Sequence, residues 1–164
     1  KPYIQPTKSN LKETYIHLTN YAINKDNPAF VFNTSSTNMN TGHKRSLQSV
    51  LKLLEGEGRD IEKLKQEINE LVVKTIITGQ PLLSHLYNLS QPENYANDMC
   101  FQILGFDVLL EEDCSPKLLE VNHTPSFVAD TPLDESIKGN LIRDTLQLMN
   151  ITTERKTTKV ALSR

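Results

Sequence analysis

Apolar residues recur at three- and four-residue steps in three places along the chain, and crowd into continuous runs in two others. The first helical stretch begins at Ser46, with Leu47, Val50, Leu51 and Leu54 on one face. Gly56 and Gly58 end it. Asp60 can cap a second helix, in which Ile61, Leu64, Ile68, Leu71, Val72 and Ile76 form the buried stripe. Pro81 interrupts that pattern, and a polar loop is expected to about Asn97. A third helix starts near Asp134, with Ile137, Leu141, Ile142, Leu146 and Met149 as its expected buried stripe. Between the second and third helices lie two β-prone runs, 99–111 and 117–122, joined by the turn residues Glu112-Asp113-Cys114-Ser115-Pro116. Tyr15-Ile16-His17-Leu18 is a further short β-prone run. Residues 1–14 read as a connecting loop, 24–43 as a surface loop rich in Asn, Ser and Thr, and the tail after Asn150 as patternless. Helices flanking antiparallel strands make the fold class α+β.

Composition narrows the function classes. The 164 residues are 37% hydrophobic and 23% charged, as in an ordinary globular domain. A net charge of −2 gives no footprint for nucleic acid. Two cysteines, Cys100 and Cys114, make neither a disulfide scaffold nor a zinc site, and imply a reduced, cytosolic protein. No signal peptide or membrane-spanning run is expected. The opening Lys1-Pro2-Tyr3-Ile4-Gln5-Pro6 reads as the interior of a longer protein.

The paired β-prone runs carry the chemistry. Side chains alternate across a strand, so Glu120 and Asn122 share a face while Leu119 and Val121 take the other. A hairpin turning symmetrically about Asp113-Cys114 sets Asp107 opposite Glu120 and Asn122 opposite Gly105. Directly opposed residues have Cβ atoms about 4.5–5.5 Å apart, and like charges there repel. Two carboxylates and a carboxamide around a small gap suit a hard divalent cation with oxygen ligands, magnesium first among them. The plain competing account is a pair of solvated strand-end carboxylates.

Four stretches resemble the tubulin–tyrosine ligase-like family: His17-Leu18-Thr19-Asn20-Tyr21-Ala22-Ile23-Asn24, Lys44-Arg45-Ser46-Leu47, residues 100–110 (CFQILGFDVLL) and residues 119–127 (LEVNHTPSF). Their order and spacing also resemble the family, from about Asn10 to Ile151. The resemblance implies an ATP-grasp-like fold, of which this chain is the C-terminal lobe with a metal-binding hairpin and flanking helices. It implies that ATP activates a carboxylate, which an incoming amino acid then attacks. By position, Asp107, Glu120 and Asn122 correspond to magnesium ligands, Thr19 and Asn20 to ATP contacts, and Tyr21, Lys44 and Lys138 to residues holding the amino acid. No catalytic acid or base is assigned.

The motifs look most like those of the glutamate-adding members. The implied function is therefore ATP- and Mg2+-dependent ligation of L-glutamate to acidic tails of tubulin. The implied setting is cytoplasm and cytoskeleton, with cilia or basal bodies among the sites. A monomer is expected, with no nucleic-acid or membrane partner. A non-catalytic microtubule-binding module and a glycine-adding ligase are the alternatives. Ala22 stands where the family often has Ser, so only a side-chain contact there is lost. The family's N-terminal adenine-binding half is absent, so this segment alone is expected to be inactive. The domain is expected over 1–151. The segment 152–164, with Arg155, Lys156, Lys159 and Arg164 against Glu154, is expected to be a basic, flexible tail suited to an acidic partner.

Overall fold

The computed structural model describes residues 3–18, 20–35, 37–94 and 100–150. Thr19 and the tail expected over 152–164 lie outside the described residues. In chain order the elements are α1 (Thr14–His17), α2 (Tyr21–Asn24), α3 (Leu47–Gly56), α4 (Ile61–Ser90), β1 (Gly105–Leu110), β2 (Pro116–Asn122) and α5 (Pro132–Met149). Helices and one antiparallel strand pair give the expected α+β class. The chain divides into two compact units, one of Lys1–Val50 with Val128–Arg164, the other of Leu51–Phe127.

In the first unit, the run 15–18 is not a strand. It forms α1, closed by the Leu18 amide on the Thr14 carbonyl at 2.9 Å. β propensity largely measures fit to a pleated neighbour, and the described strands pair only with each other. Ile16 is instead buried in a helical turn. Asn20 caps α2, its side-chain oxygen accepting from the Ala22 amide at 2.8 Å. The loop that follows is closed tightly. The His43 amide donates to the Val31 carbonyl at 3.0 Å, and the Val31 amide donates to His43 Nδ1 at 2.9 Å. Gly42 takes φ +73°, and a Cβ there would lie 2.6 Å from the Val31 oxygen, so only glycine fits. Asn33, buried within the loop, donates to the Asn38 carbonyl and accepts from the Ser35 amide, both at 3.0 Å. This clasp ends one residue before Lys44.

Thr131 caps α5, with Pro132 in the first turn and Leu133 fully buried. The expected apolar stripe of α5 is not buried: Ile137, Leu141, Ile142 and Leu146 are all exposed, and only Met149 is half-covered. A helical stripe is buried only when a second layer covers it. Here that layer is missing among the described residues, and burial concentrates in the first turn.

In the second unit, Gly58 ends the helical turn before it at φ +82°. Its amide bonds to the Glu55 carbonyl and that of Arg59 to the Leu54 carbonyl, at 2.9 and 3.0 Å. Asp60 caps α4 as expected, accepting from the Lys63 amide at 3.0 Å. The polar loop expected from Pro81 does not begin there, because α4 runs on through Pro81 to Ser90; residues 91–94 are non-helical, and 95–97 of that expected loop lie outside the described residues. Proline removes one amide and crowds one carbonyl, but Leu82, Leu83, Leu86 and Leu89 keep the helical spacing beyond it. Of the run expected to be β-prone, residue 99 lies outside the described residues, and among the described residues ladder pairing begins at Gly105, where β1 starts. Helix α4, anchored by buried Leu64, packs on β2. Both cysteines are free thiols. Among the described residues, no helix is long and apolar enough to cross a membrane.

Candidate functional site

The hairpin owes its register to two irregularities. The Cys114 amide donates to the Glu111 carbonyl at 2.9 Å and the Glu111 amide to the Ser115 carbonyl at 3.0 Å, enclosing a three-residue loop. Cys114 takes the left-handed conformation at φ +68°, which such loops require at their last position. Next to that loop Leu110 pairs with Pro116, Leu109 with Lys117 and Val108 with Leu118. A regular ladder continued from there would set Asp107 against Leu119 and turn Glu120 to the opposite face. The ladder instead shifts between Asp107 and Val108. Leu119 is the extra residue, and beyond it Asp107 pairs with Glu120, Phe106 with Val121 and Gly105 with Asn122. The shift sorts the faces. Phe106, Val108, Leu118 and Val121 share the apolar side, while Asp107, Glu120 and Asn122 share the other.

The three polar groups are therefore neighbours, as the sequence reading expects. Asn122 donates its amide to Glu120 Oε1 at 3.2 Å. The Asp107 carboxyl is held above its ordinary value, by burial first, then by a hydrogen bond and the like charge of Glu120. Gly105 keeps the far end open. A Cβ there would lie 3.2 Å from the Pro125 Cβ and 3.4 Å from that of Asn122. Gln102 secures the adjoining backbone by donating to the His123 carbonyl at 2.7 Å. Among the described residues no three His, Cys, Asp or Glu converge. A cation here would take two carboxylates and the Asn122 carboxamide oxygen, with its remaining positions left to solvent or a bound ligand. That all-oxygen, doubly anionic set fits a hard divalent ion.

The other unit gathers the residues expected to hold an amino acid. The Lys44 ammonium sits 4.6 Å from the centroid of the Tyr21 ring, in cation–π contact. It also donates to Asp134 Oδ1 at 2.6 Å. Thr131 donates its hydroxyl to Asp134 Oδ2 at 2.9 Å and accepts from the Asp134 amide at 3.2 Å. Burial pushes the Asp134 carboxyl up. The Lys44 and Thr131 hydrogen bonds and the charges of Lys44 and Lys138 outweigh it, so the group ends below its ordinary value. Lys138, one turn further along α5, donates to the Val128 carbonyl. Tyr21 in turn packs edge-on against Phe30, 5.9 Å between centroids.

Thus Tyr21 and Lys44 meet beside Asp134, a carboxylate not among the expected site residues, while Lys138 acts on it only through its charge. The Thr131-x-x-Asp134 spacing was legible as a helix cap, but nothing local points from Asp134 to a lysine 90 residues away. Asn20 spends its side-chain oxygen on the cap of α2, so its free chemistry is its amide group.

Comparison with known proteins places these features. The chain is 54% identical over 154 residues to a probable beta-tubulin polyglutamylase of Tetrahymena thermophila, covering 94% of this chain and 13% of the relative. It is 46% identical over 149 residues to tubulin polyglutamylase ttll6 of Danio rerio, covering 91% and 18%, respectively. It is 40% identical over 149 residues to tubulin polyglutamylase TTLL6 of Homo sapiens, covering 91% and 16%. The chain thus spans 13–18% of the length of these relatives. The model of the tubulin-tyrosine ligase family matches residues 1–159, nearly the whole sequence, and the chain belongs to that family.

Proposed function

We propose that this chain serves in the ATP- and Mg2+-dependent ligation of glutamate to glutamate side chains of a protein acceptor, the C-terminal tails of tubulin. The observation that carries the reading is the Leu119 bulge, which sets Asp107 opposite Glu120 with Asn122 on the same face. A strand pair has no structural need for opposed carboxylates, and they cost stability. A cation-binding role accounts for them. The names of the relatives, all tubulin polyglutamylases, support both the acceptor and glutamate as the added group.

Asp107, Glu120 and Asn122 would hold Mg2+, and ATP bound with it would supply a phosphoryl group that makes the acceptor carboxylate open to attack by the amine of the incoming amino acid, with phosphate as the leaving group. The chain's own residues supply position and charge. Asp107 and Glu120 bring two negative charges to balance a divalent ion, and Asn122 adds a neutral oxygen. Thr19 and the Asn20 amide group offer polar contacts to a nucleotide. Lys44 and Lys138 offer ammonium groups to the carboxylates of glutamate, and Tyr21 backs Lys44 from the side. These positive charges, set in advance, favour a transition state that gathers negative charge. The ATP-grasp-like lobe and the cytoplasmic, cytoskeletal setting belong to the same proposal.

The test is made in the full-length protein with the Asp107→Asn and Glu120→Gln variants. Incorporation into tubulin tails is read by mass spectrometry with glutamate, glycine and tyrosine in turn. Each variant should lose glutamate incorporation by about a hundredfold or more. Undiminished incorporation by both would overturn the metal role, and incorporation of glycine alone would overturn the glutamate assignment.

A further inference from the structure

Asp134 is the carboxylate buried deepest among the described residues, with its side chain only 5% exposed, whereas that of Lys44 is 38% exposed. Its two oxygens are separately occupied, Oδ1 by Lys44 and Oδ2 by the Thr131 hydroxyl. Both oxygens are thus engaged within the protein. Lys44 is in the opposite condition. An ammonium has three donors, and the described contacts use one on Asp134 and rest one side on the Tyr21 ring. With its side chain 38% exposed, Lys44 keeps donor capacity within reach of solvent or a ligand.

A helix cap does not require this arrangement. The cap of α5 is the Thr131 hydroxyl oxygen accepting from the Asp134 amide, which needs no Lys44. A buried carboxylate left without a cation would be strongly unfavourable, so the pair also fixes where the lysine head must be. A free lysine spreads over many rotamers, at an entropic cost of about 2 kcal/mol to order. A lysine pinned between a buried carboxylate and an aromatic face has met that cost before a ligand arrives.

We infer that Asp134 is a positioning residue: it holds the Lys44 ammonium against Tyr21, with open donors presented to a carboxylate of the incoming amino acid. The inference rests on the reading of Tyr21 and Lys44 as the amino-acid site. Asp134 itself touches no substrate. Lys44 and Lys138 against Asp134 leave one net positive charge in the cluster, suited to an anionic group and unsuited to a cationic one.

The experiment uses the full-length protein with L-glutamate and ATP as varied substrates. Asp134→Asn keeps the shape and an oxygen for the Thr131 hydroxyl and removes the charge that holds Lys44. The apparent KM for glutamate should rise about tenfold, with KM for ATP unchanged. Asp134→Glu keeps the charge and displaces the ammonium, so its KM for glutamate should fall between wild type and Asp134→Asn. Joining Asp134→Asn to Lys44→Ala should add nothing to the KM of Lys44→Ala, because both act through one group. Melting curves taken alongside separate a capping defect, which lowers Tm and leaves KM for glutamate alone. If Lys44→Ala raises KM for glutamate and neither Asp134 variant does, the positioning role is overturned and the site stands. If Lys44→Ala leaves KM for glutamate unchanged, the site reading fails and takes this inference with it.

Discussion

Replacing Asp107 by Asn should stabilise the metal-free protein while abolishing its response to magnesium. Asp107 and Glu120 are directly paired across the hairpin, which sets their Cβ atoms about 5 Å apart. Two unit charges at that distance repel by about 0.8 kcal/mol in water and about 3 kcal/mol at an effective dielectric of 20. Both side chains are exposed, so the lower end applies, and Asp107→Asn should gain about 1 kcal/mol. In a domain of this size that is about 2–4 °C in Tm. The pH dependence has a definite sign. The Asp107 carboxyl is raised in the folded state by burial, the Glu120 hydrogen bond and the Glu120 charge. Its penalty is absent below the unfolded value of about 3.9 and grows as pH rises through the folded value. The advantage of Asn should therefore vanish in acid and reach its full size near neutrality. Magnesium reverses the ranking, since a site filled at ten times its Kd gains about 1.4 kcal/mol in the wild type only. Melting in EDTA and in Mg2+, at acid and neutral pH, reads all of this. Equal melting of the two proteins without metal, together with equal responses to Mg2+, would sink the account of the hairpin.

Two further substitutions probe the frame around the sites. Gly105→Ala puts a methyl 3.2 Å from the Pro125 Cβ and 3.4 Å from the Asn122 Cβ. It should cost about 1–3 kcal/mol by overpacking and weaken Mg2+ binding by moving Asn122, as read by melting and calorimetry. Pro81→Ala restores an amide in the middle of α4. It should raise stability by up to about 3 kcal/mol in chemical denaturation, and no gain would mean that the missing amide hydrogen bond costs α4 nothing.

The opposition of Asp107 and Glu120 was legible from alternation alone, yet the route to it was not. A symmetric two-residue turn predicts the same pairing that the protein reaches by a three-residue loop and a compensating bulge at Leu119. Neither irregularity has a glycine to announce it, because Cys114 adopts the left-handed conformation itself. Helix α4 beyond Pro81 was hidden by a local rule that the apolar spacing of Leu82 to Leu89 overrode. Periodicity reveals the α5 helix but not the exposure of its stripe, since it reports a face and not what covers it. The Lys44–Asp134 pair is a product of tertiary structure, and nothing short-range encodes it.

The surplus residue at Leu119 also bears on how this arm can change length. Between the three-residue loop and the paired carboxylates the second strand holds one more position than the first. Loss of that position would leave a straight ladder that still ends with Asp107 facing Glu120. A single codon deletion there removes only the kink, whereas an insertion has no ready outlet and swings Glu120 to the far side. The arm thus tolerates shortening by one and resists lengthening by one, and its slack is spent in a single direction.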